Sequence, residues 1–163
     1  MKSDIGPAGI GGWLVLPALG LAISPIVQGI QLFRDIVPAL EPNVWRTLSD
    51  PTSGNYYPMW VPAIFFEATS GILLFIFTLW LGYLFFFRKS ARVPRLFIAW
   101  LACQLVVRII DRILTNSIPL AAGQAGHDVV SGLGRSIMNA AIWIPYFVWS
   151  IRIKNTFIDA AAA

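Results

Sequence analysis

The sequence contains little charge, and this shortage is its most informative property. Only 12% of its 163 residues are Asp, Glu, Lys or Arg, whereas about a quarter of the residues of an ordinary soluble domain are charged. Hydrophobic residues make up 57% of the chain, and its mean hydropathy is +0.70. These values exclude a sizeable soluble domain and predict an integral membrane protein.

Cysteine and histidine each occur once, which excludes several kinds of site. Cys103 lies in an apolar run, so the chain forms no internal disulfide and no multi-cysteine metal site. His127 stands beside Asp128 in a polar stretch, and no second histidine completes a zinc or bis-histidine haem site. We therefore expect no metal and no cofactor. Because no histidine lies at membrane depth to activate a nucleophile, we also do not expect an enzyme.

Four apolar stretches are long enough to cross a bilayer, which requires about 20 residues. Because lipid offers no partner to the backbone, and because the runs lack the alternation of barrel strands, all four are predicted to be helices. The glycine-rich start, "GPAGIGGW", is not expected to be regular helix. We thus predict one all-α membrane domain over residues 1–163, a compact bundle of four transmembrane helices. The predicted spans are 12–33, 60–87, 96–114 and 136–153.

The basic residues predict the orientation of this bundle. Seven of the twelve lie at the termini and in the loop "RKSARVPR", whereas the opposite side has three. By the positive-inside rule both termini and this loop are cytoplasmic. The net charge of +4 then reflects topology, and we expect no nucleic-acid partner. Anionic lipid headgroups are expected to contact the basic side chains of this loop, which are Arg88, Lys89, Arg92 and Arg95.

The two outward connections differ in character. Residues 34–59 include "EPNVWRTL", which predicts a short interfacial helix with Glu41 or Asn43 near its cap. Residues 115–135 form a polar stretch that contains His127, and we expect a solvated loop there.

Several motifs along the chain are similar to one bacterial membrane-protein family. They are "GIGGWLVLPALGL" at 9–21, Glu67 after "FF", "FFRKSARVPRLFI" at 86–98, and "IWIPYFVWSIRIKNTFI" at 142–158. In this order, over nearly the whole chain, they resemble the family of domain of unknown function 2569. The resemblance implies a compact four-helix protein of the bacterial inner membrane, and it implies no activity.

Glu67 is a carboxylate inside an apolar span. It lies about 10 Å deep when counted from Trp60, and Arg108 has a similar depth on the third span, which runs the opposite way. Arg108, Asp111 and Arg112 share one helix face because they are three and four residues apart. Charges that face lipid are costly, so we expect Glu67 to pair with Arg108 in a polar cluster with Asp111 and Arg112. Gln104 lies one turn or more deeper and is a candidate member, and Asn139 on the fourth span is a weaker one.

The cluster allows two interpretations. A buried ion pair fixes the packing of two helices, as such pairs can do without adding stability. Alternatively, the cluster lines an outward-facing cavity that binds a lipid or small anion, or takes part in transport. For the whole protein we favour a function by interaction with a membrane-protein partner or with itself. Lipid or anion binding is the alternative, and a membrane-embedded enzyme is a distant third.

Overall fold

The computed structural model describes the backbone of residues 9–115 and 125–158, and the side chains of residues 9–114 and 133–157. Within these ranges every regular element is a helix, which confirms the predicted all-α class. Four helices are long, and we number them with a short one in chain order. They are α1 Val15–Ala39, α2 Pro42–Ser49, α3 Trp60–Tyr83, α4 Val93–Thr115 and α5 Ala125–Trp149.

Three stretches of helix in the described part of the chain are long and apolar enough to cross a membrane. They are Gly12–Ala39, Trp60–Arg88 and Val93–Leu114. The first continues past the predicted end at residue 33, and a π-helical turn, Leu84–Arg88, extends the second. Helix α5 is not among the three, and its side chains are described only over residues 133–149.

The prediction of a loop over residues 115–135 is wrong for the second half of that range. Helix α5 begins at Ala125, so residues 125–135 are helical, and the fourth long helix starts before the predicted residue 136. A helix satisfies its own backbone hydrogen bonds, so a polar stretch can continue it wherever the side chains reach water. His127 and Asp128 belong to this helix, and their side chains lie outside the described residues.

The long helices pack in chain order, with α1 against α3, α3 against α4, and α4 against α5. The rings of Phe97 and Phe147 stack with centroids 4.0 Å apart and planes 3° apart. Phe97 lies near the start of α4 and Phe147 near the end of α5, so these two helices are antiparallel. The start of α1 and the end of α5 consequently lie at the same end of the bundle.

That end, which we call the inner end, contains the hydrophobic core. The core joins all four long helices and two C-terminal helical turns, Ile151–Ile153 and Lys154–Ile158. Its largest fully buried side chains include Leu14, Leu21, Leu81, Phe85, Ile153 and Phe157. Phe85 and Phe157 are in contact, with ring centroids 5.1 Å apart. Tight aromatic packing of this kind stabilises helix association in a membrane, where the hydrophobic effect does not act between helices.

The N-terminal and C-terminal segments bind each other at the inner end. The Gly9 N–H donates to the Thr156 hydroxyl at 2.9 Å, and the guanidinium of Arg152 lies against Gly11 and Gly12. Gly12 has a φ of +53° and opens a single 3-10 turn, Gly12–Leu14, before α1. The predicted irregular start is confirmed, and its glycines leave the space that the arginine occupies.

Helix α2 confirms the short helix predicted around "EPNVWRTL". Glu41 is its N-cap residue but makes no side-chain cap bond, and Pro42 at the first position lacks an N–H. Past its end, the Asp50 carboxylate accepts hydrogen bonds from the Thr52 N–H at 2.8 Å and hydroxyl at 2.7 Å. These bonds, the backbone one first, hold the pKa of Asp50 below its usual value and close the turn toward α3.

Candidate functional site

Glu67 is half-buried on α3, and its electrostatic neighbours are carboxylates. Asp111 on α4 and Asp35 on α1 both lie within electrostatic range of it. Measured from the ends of their helices away from the core, the three acids lie about 6 to 10 Å deep at 1.5 Å per residue. Three helices thus each place one acid at a similar depth near the outer end of the bundle.

Arginines lie among these acids and balance them. Arg108 is an electrostatic neighbour of both Asp35 and Asp111, and Arg112 and Arg34 act on Asp111 and Asp35 respectively. We call this group of six the outer charged cluster: Arg34, Asp35, Glu67, Arg108, Asp111 and Arg112. Of the three residues predicted to share one face of α4, Asp111 acts on Glu67, and Arg108 and Arg112 act on Asp111.

The structure differs from the predicted pair of Glu67 with Arg108. Among the described side chains no ion pair joins these two residues, and the charges that act on Glu67 are those of Asp111 and Asp35. The Arg108 side chain is exposed and lies near Asp35 and Asp111 instead. Matching depth on two helices was therefore insufficient, because the direction in which each side chain leaves its helix decides which charges meet.

Asp35 and Arg34 belong to the cluster, and neither was predicted from the sequence. The first span was drawn to end at residue 33 because the charged pair follows immediately. In the structure α1 continues through both residues to Ala39, with Pro38 in its last turn. The apolar residues that follow the pair, "IVPAL", were the available signal that the helix continues.

Half of the cluster is exposed on the outside of the bundle. Arg34, Asp35 and Arg108 are exposed, whereas Glu67, Asp111 and Arg112 are half-buried. A shallow groove runs beside the exposed charges along the outer half of α1, and its lining is otherwise apolar. It is formed by Gly29, Ile30, Phe33, Arg34, Val37 and Pro38.

A buried hydrogen-bond network joins α1, α3 and α4 closer to the core. The Thr78 hydroxyl accepts a hydrogen bond from Trp100 Nε1 at 2.8 Å. The same hydroxyl oxygen lies 2.7 Å from the Leu74 carbonyl oxygen and 3.0 Å from Oε1 of Gln28, and it donates its single proton to one of these two acceptors. Thr78 is fully buried and Trp100 nearly so. The sequence analysis did not identify this network, whose members stand singly in apolar runs.

Gln104 and Asn139 both line a cavity of about 290 Å³ between α1, α4 and α5. Gln104 is one turn, about 6 Å along α4, from Arg108, and its predicted membership of the cluster stays a prediction, as does that of Asn139.

The basic residues proposed to contact lipid headgroups lie between α3 and α4 at the inner end. Arg88, Lys89, Arg92 and Arg95 are all exposed. Lys89 has a φ of +42° and follows the π-helical turn, so the chain reverses at this residue. Their accessibility is compatible with headgroup contact, which stays a prediction.

The cluster offers charge and hydrogen bonding at membrane depth. Within residues 9–114 and 133–157 no three side chains of the metal-ligating types converge on one point. Its charges are formally balanced, with three arginines and three acids from three helices. Such an arrangement suits contacts with a surface that carries charges of both signs.

Comparison with known proteins agrees with the membrane character of the chain. "Inner membrane protein YdgK" from Escherichia coli (strain K12) is 28% identical over 153 residues, which covers 94% of this chain and 96% of that protein. No solved structure matches the chain. The family model described as "Protein of unknown function (DUF2569)" matches residues 7–158. The chain therefore belongs to the DUF2569 family.

Proposed function

We propose that this chain is an inner-membrane protein that crosses the bilayer four times, with both termini in the cytoplasm. Helix α5 has 25 residues, about 38 Å at 1.5 Å per residue, which is long enough to cross. Its antiparallel packing on α4 and the contact between Gly9 and Thr156 at the inner end favour an even number of crossings. The exposed basic residues after α3 support a cytoplasmic location of that end by the positive-inside rule.

Reporter fusions test this topology. Alkaline phosphatase joined after Gly54, between α2 and α3, should be active because this loop is periplasmic. Fusions at Ser90 and at the C-terminus should be inactive as phosphatase and fluorescent as green fluorescent protein, since both positions are cytoplasmic. Phosphatase activity at either of these two positions would contradict the assignment.

We further propose that the protein acts by intramembrane interaction, through the outer charged cluster and the groove beside it. The observation that carries this proposal is the exposure of Arg34, Asp35 and Arg108 on helices that otherwise face lipid. A charge facing the hydrocarbon costs at least about 2.5 kcal/mol. A protein surface that covers these side chains and pairs with them would remove this cost.

The groove supplies the apolar part of the proposed surface. Phe33 is 74% exposed and Ile30 63% exposed in it, and a transmembrane helix can pack into such a depression. Charges of both signs at its rim fit either a second copy of this chain or a different membrane protein with charged residues at the same depth. Balanced charge gives less support to the alternative of anion binding, for which an excess of arginine would be needed.

Site-specific photo-crosslinking in native membranes tests the interaction. The photoreactive residue p-benzoylphenylalanine in place of Phe33 should give a defined adduct, because Phe33 would contact the partner. Phe65 is the matched control, since it is also phenylalanine, is 64% exposed on α3 and lies at a similar depth. An adduct of twice the chain mass of 18.0 kDa identifies a second copy, and another mass a different protein. The proposal would be overturned if the photoreactive residue at positions 33 and 65 crosslinked only to lipid, and to the same extent at both.

A further inference from the structure

The cavity between α1, α4 and α5 lies apart from the outer charged cluster. It has a volume of about 290 Å³ and lies on the side where α1 and α5 are not packed together along their length, as far as the described residues show. It is lined by Leu16, Pro17, Gly20, Leu21, Ser24, Phe97, Trp100, Leu101, Gln104, Ser136, Asn139 and Trp143. Because Leu16, Gly20 and Asn139 are exposed, the cavity opens sideways, toward the bilayer.

Two carboxamides in this cavity have no hydrogen-bond partner among the described residues, those of Gln104 and Asn139. Counted from the inner ends of α4 and α5, they lie about 15 to 16 Å deep, close to the middle of a bilayer. Hydrocarbon offers no hydrogen-bond partner at this depth, and an amide without a partner costs several kcal/mol there. The two side chains are therefore in place to bind a polar group brought by another molecule.

The rest of the lining specifies the chemistry of that group. No lining residue is charged, so a phosphate or ammonium headgroup would lose its hydration without gaining a counter-charge. Carboxamide N–H groups donate to carbonyl or hydroxyl oxygens, and the indole rings of Trp100 and Trp143 offer apolar surface beside them. The volume is at the lower limit for a ligand pocket, which suits a headgroup or ring whose hydrocarbon tail stays in the bilayer.

We propose that this cavity binds an uncharged lipid through its carbonyl or hydroxyl oxygens, with the carboxamides of Gln104 and Asn139 as the donors. The lipid enters from the bilayer between α1 and α5. Two kinds of membrane molecule share this chemistry, a quinone and a diacylglycerol, and both carry neutral oxygen acceptors on an apolar body. This site does not depend on the outer charged cluster, so either proposal can fail without the other.

Binding to the purified full chain in nanodiscs tests the site. The probes are a short-chain ubiquinone and dioctanoylglycerol, with a short-chain phosphatidylglycerol as the charged comparison, and binding is measured by tryptophan quenching and by thermal shift. One neutral probe should bind and the charged lipid should not. Gln104→Leu and Asn139→Leu should each weaken binding about fivefold to tenfold, the amount expected for one hydrogen bond of about 1 kcal/mol or slightly more.

Two further variants guard against misfolding as the explanation. Gln31→Leu removes an exposed carboxamide from α1 outside the cavity and should leave binding unchanged. Gly20→Leu should abolish binding by filling the cavity, and it should fold, because an added Cβ at Gly20 meets no atom within 4 Å. Failure of both neutral probes to bind the parent protein, or equal affinity in the two carboxamide variants and the parent, would overturn the proposal.

Discussion

Thr78→Val should destabilise the protein by about 1 to 3 kcal/mol, although it changes the shape of the side chain little. The substitution removes the acceptor of the Trp100 indole N–H and the hydroxyl next to Gln28. Thr78 is fully buried, so neither group gains water in exchange, and a buried polar group left without a partner costs about this much. Because the network joins α1, α3 and α4, the loss should also loosen their packing.

Thermal unfolding in one detergent, followed by circular dichroism, measures this effect. Thr69→Val is the matched control, because Thr69 is exposed on the same helix and forms no hydrogen bond in the structure. The unfolding midpoint should fall for Thr78→Val and stay within error for Thr69→Val. Equal midpoints for both variants would show that the network does not hold the three helices together.

Glu67→Gln should leave the protein at least as stable as the parent and is expected to stabilise it by about 1 kcal/mol. The charges that act on Glu67 are those of Asp111 and Asp35, so the substitution removes like-charge repulsion and the cost of a half-buried charge. A pair of Glu67 with Arg108 predicts the opposite sign, because breaking a buried ion pair costs about 3 to 5 kcal/mol.

The sign of the stability change distinguishes these two arrangements. Unfolding midpoints of Glu67→Gln and the parent are compared at neutral pH, with Glu41→Gln as the control. Glu41 precedes α2 and makes no side-chain cap bond, so Glu41→Gln should leave the stability unchanged. A large loss of stability in Glu67→Gln that is recovered when Arg108→Gln is added would show that the two residues form an ion pair. This result would contradict the arrangement in which Asp111 and Asp35 act on Glu67.

The helices could be predicted from the sequence, and their limits only in part. Long apolar runs bounded by polar or glycine-rich residues determine helix existence, because lipid leaves the backbone no other partner. They do not determine where a helix ends in the headgroup region, where water can satisfy either conformation. For this reason the sequence did not predict that α1 continues through Asp35, or that α5 begins at Ala125 in a stretch expected to be a loop.

The members of the outer charged cluster were partly predictable as well. Spacing along α4 placed Arg108, Asp111 and Arg112 on one face, since helical periodicity is a local property. Contacts between helices depend on how each helix is rotated about its axis, and one sequence does not specify this rotation. The bond between Thr78 and Trp100 and the position of Gln104 in a separate cavity therefore became visible only in the structure.

The proposed function depends on the charges at the rim of the α1 groove being covered by another protein. A crosslinking experiment can separate the contribution of the charges to partner binding from that of the shape of the groove. The charged residues are substituted while the photoreactive residue stays at position 33. Arg34→Gln combined with Asp35→Asn removes one charge of each sign from the outer charged cluster. Arg46→Gln combined with Glu41→Gln does the same in the connection around α2, outside the cluster.

The most direct measurement is the yield of the photo-crosslinked adduct at position 33 in native membranes, compared between these two double variants. If a partner pairs with the exposed charges, the yield should fall about tenfold in the Arg34→Gln/Asp35→Asn variant, which corresponds to about 1.4 kcal/mol. It should be unchanged in the Arg46→Gln/Glu41→Gln variant. The same yield in both variants would contradict the proposed role of the cluster, because a partner that ignores these charges would leave them facing lipid.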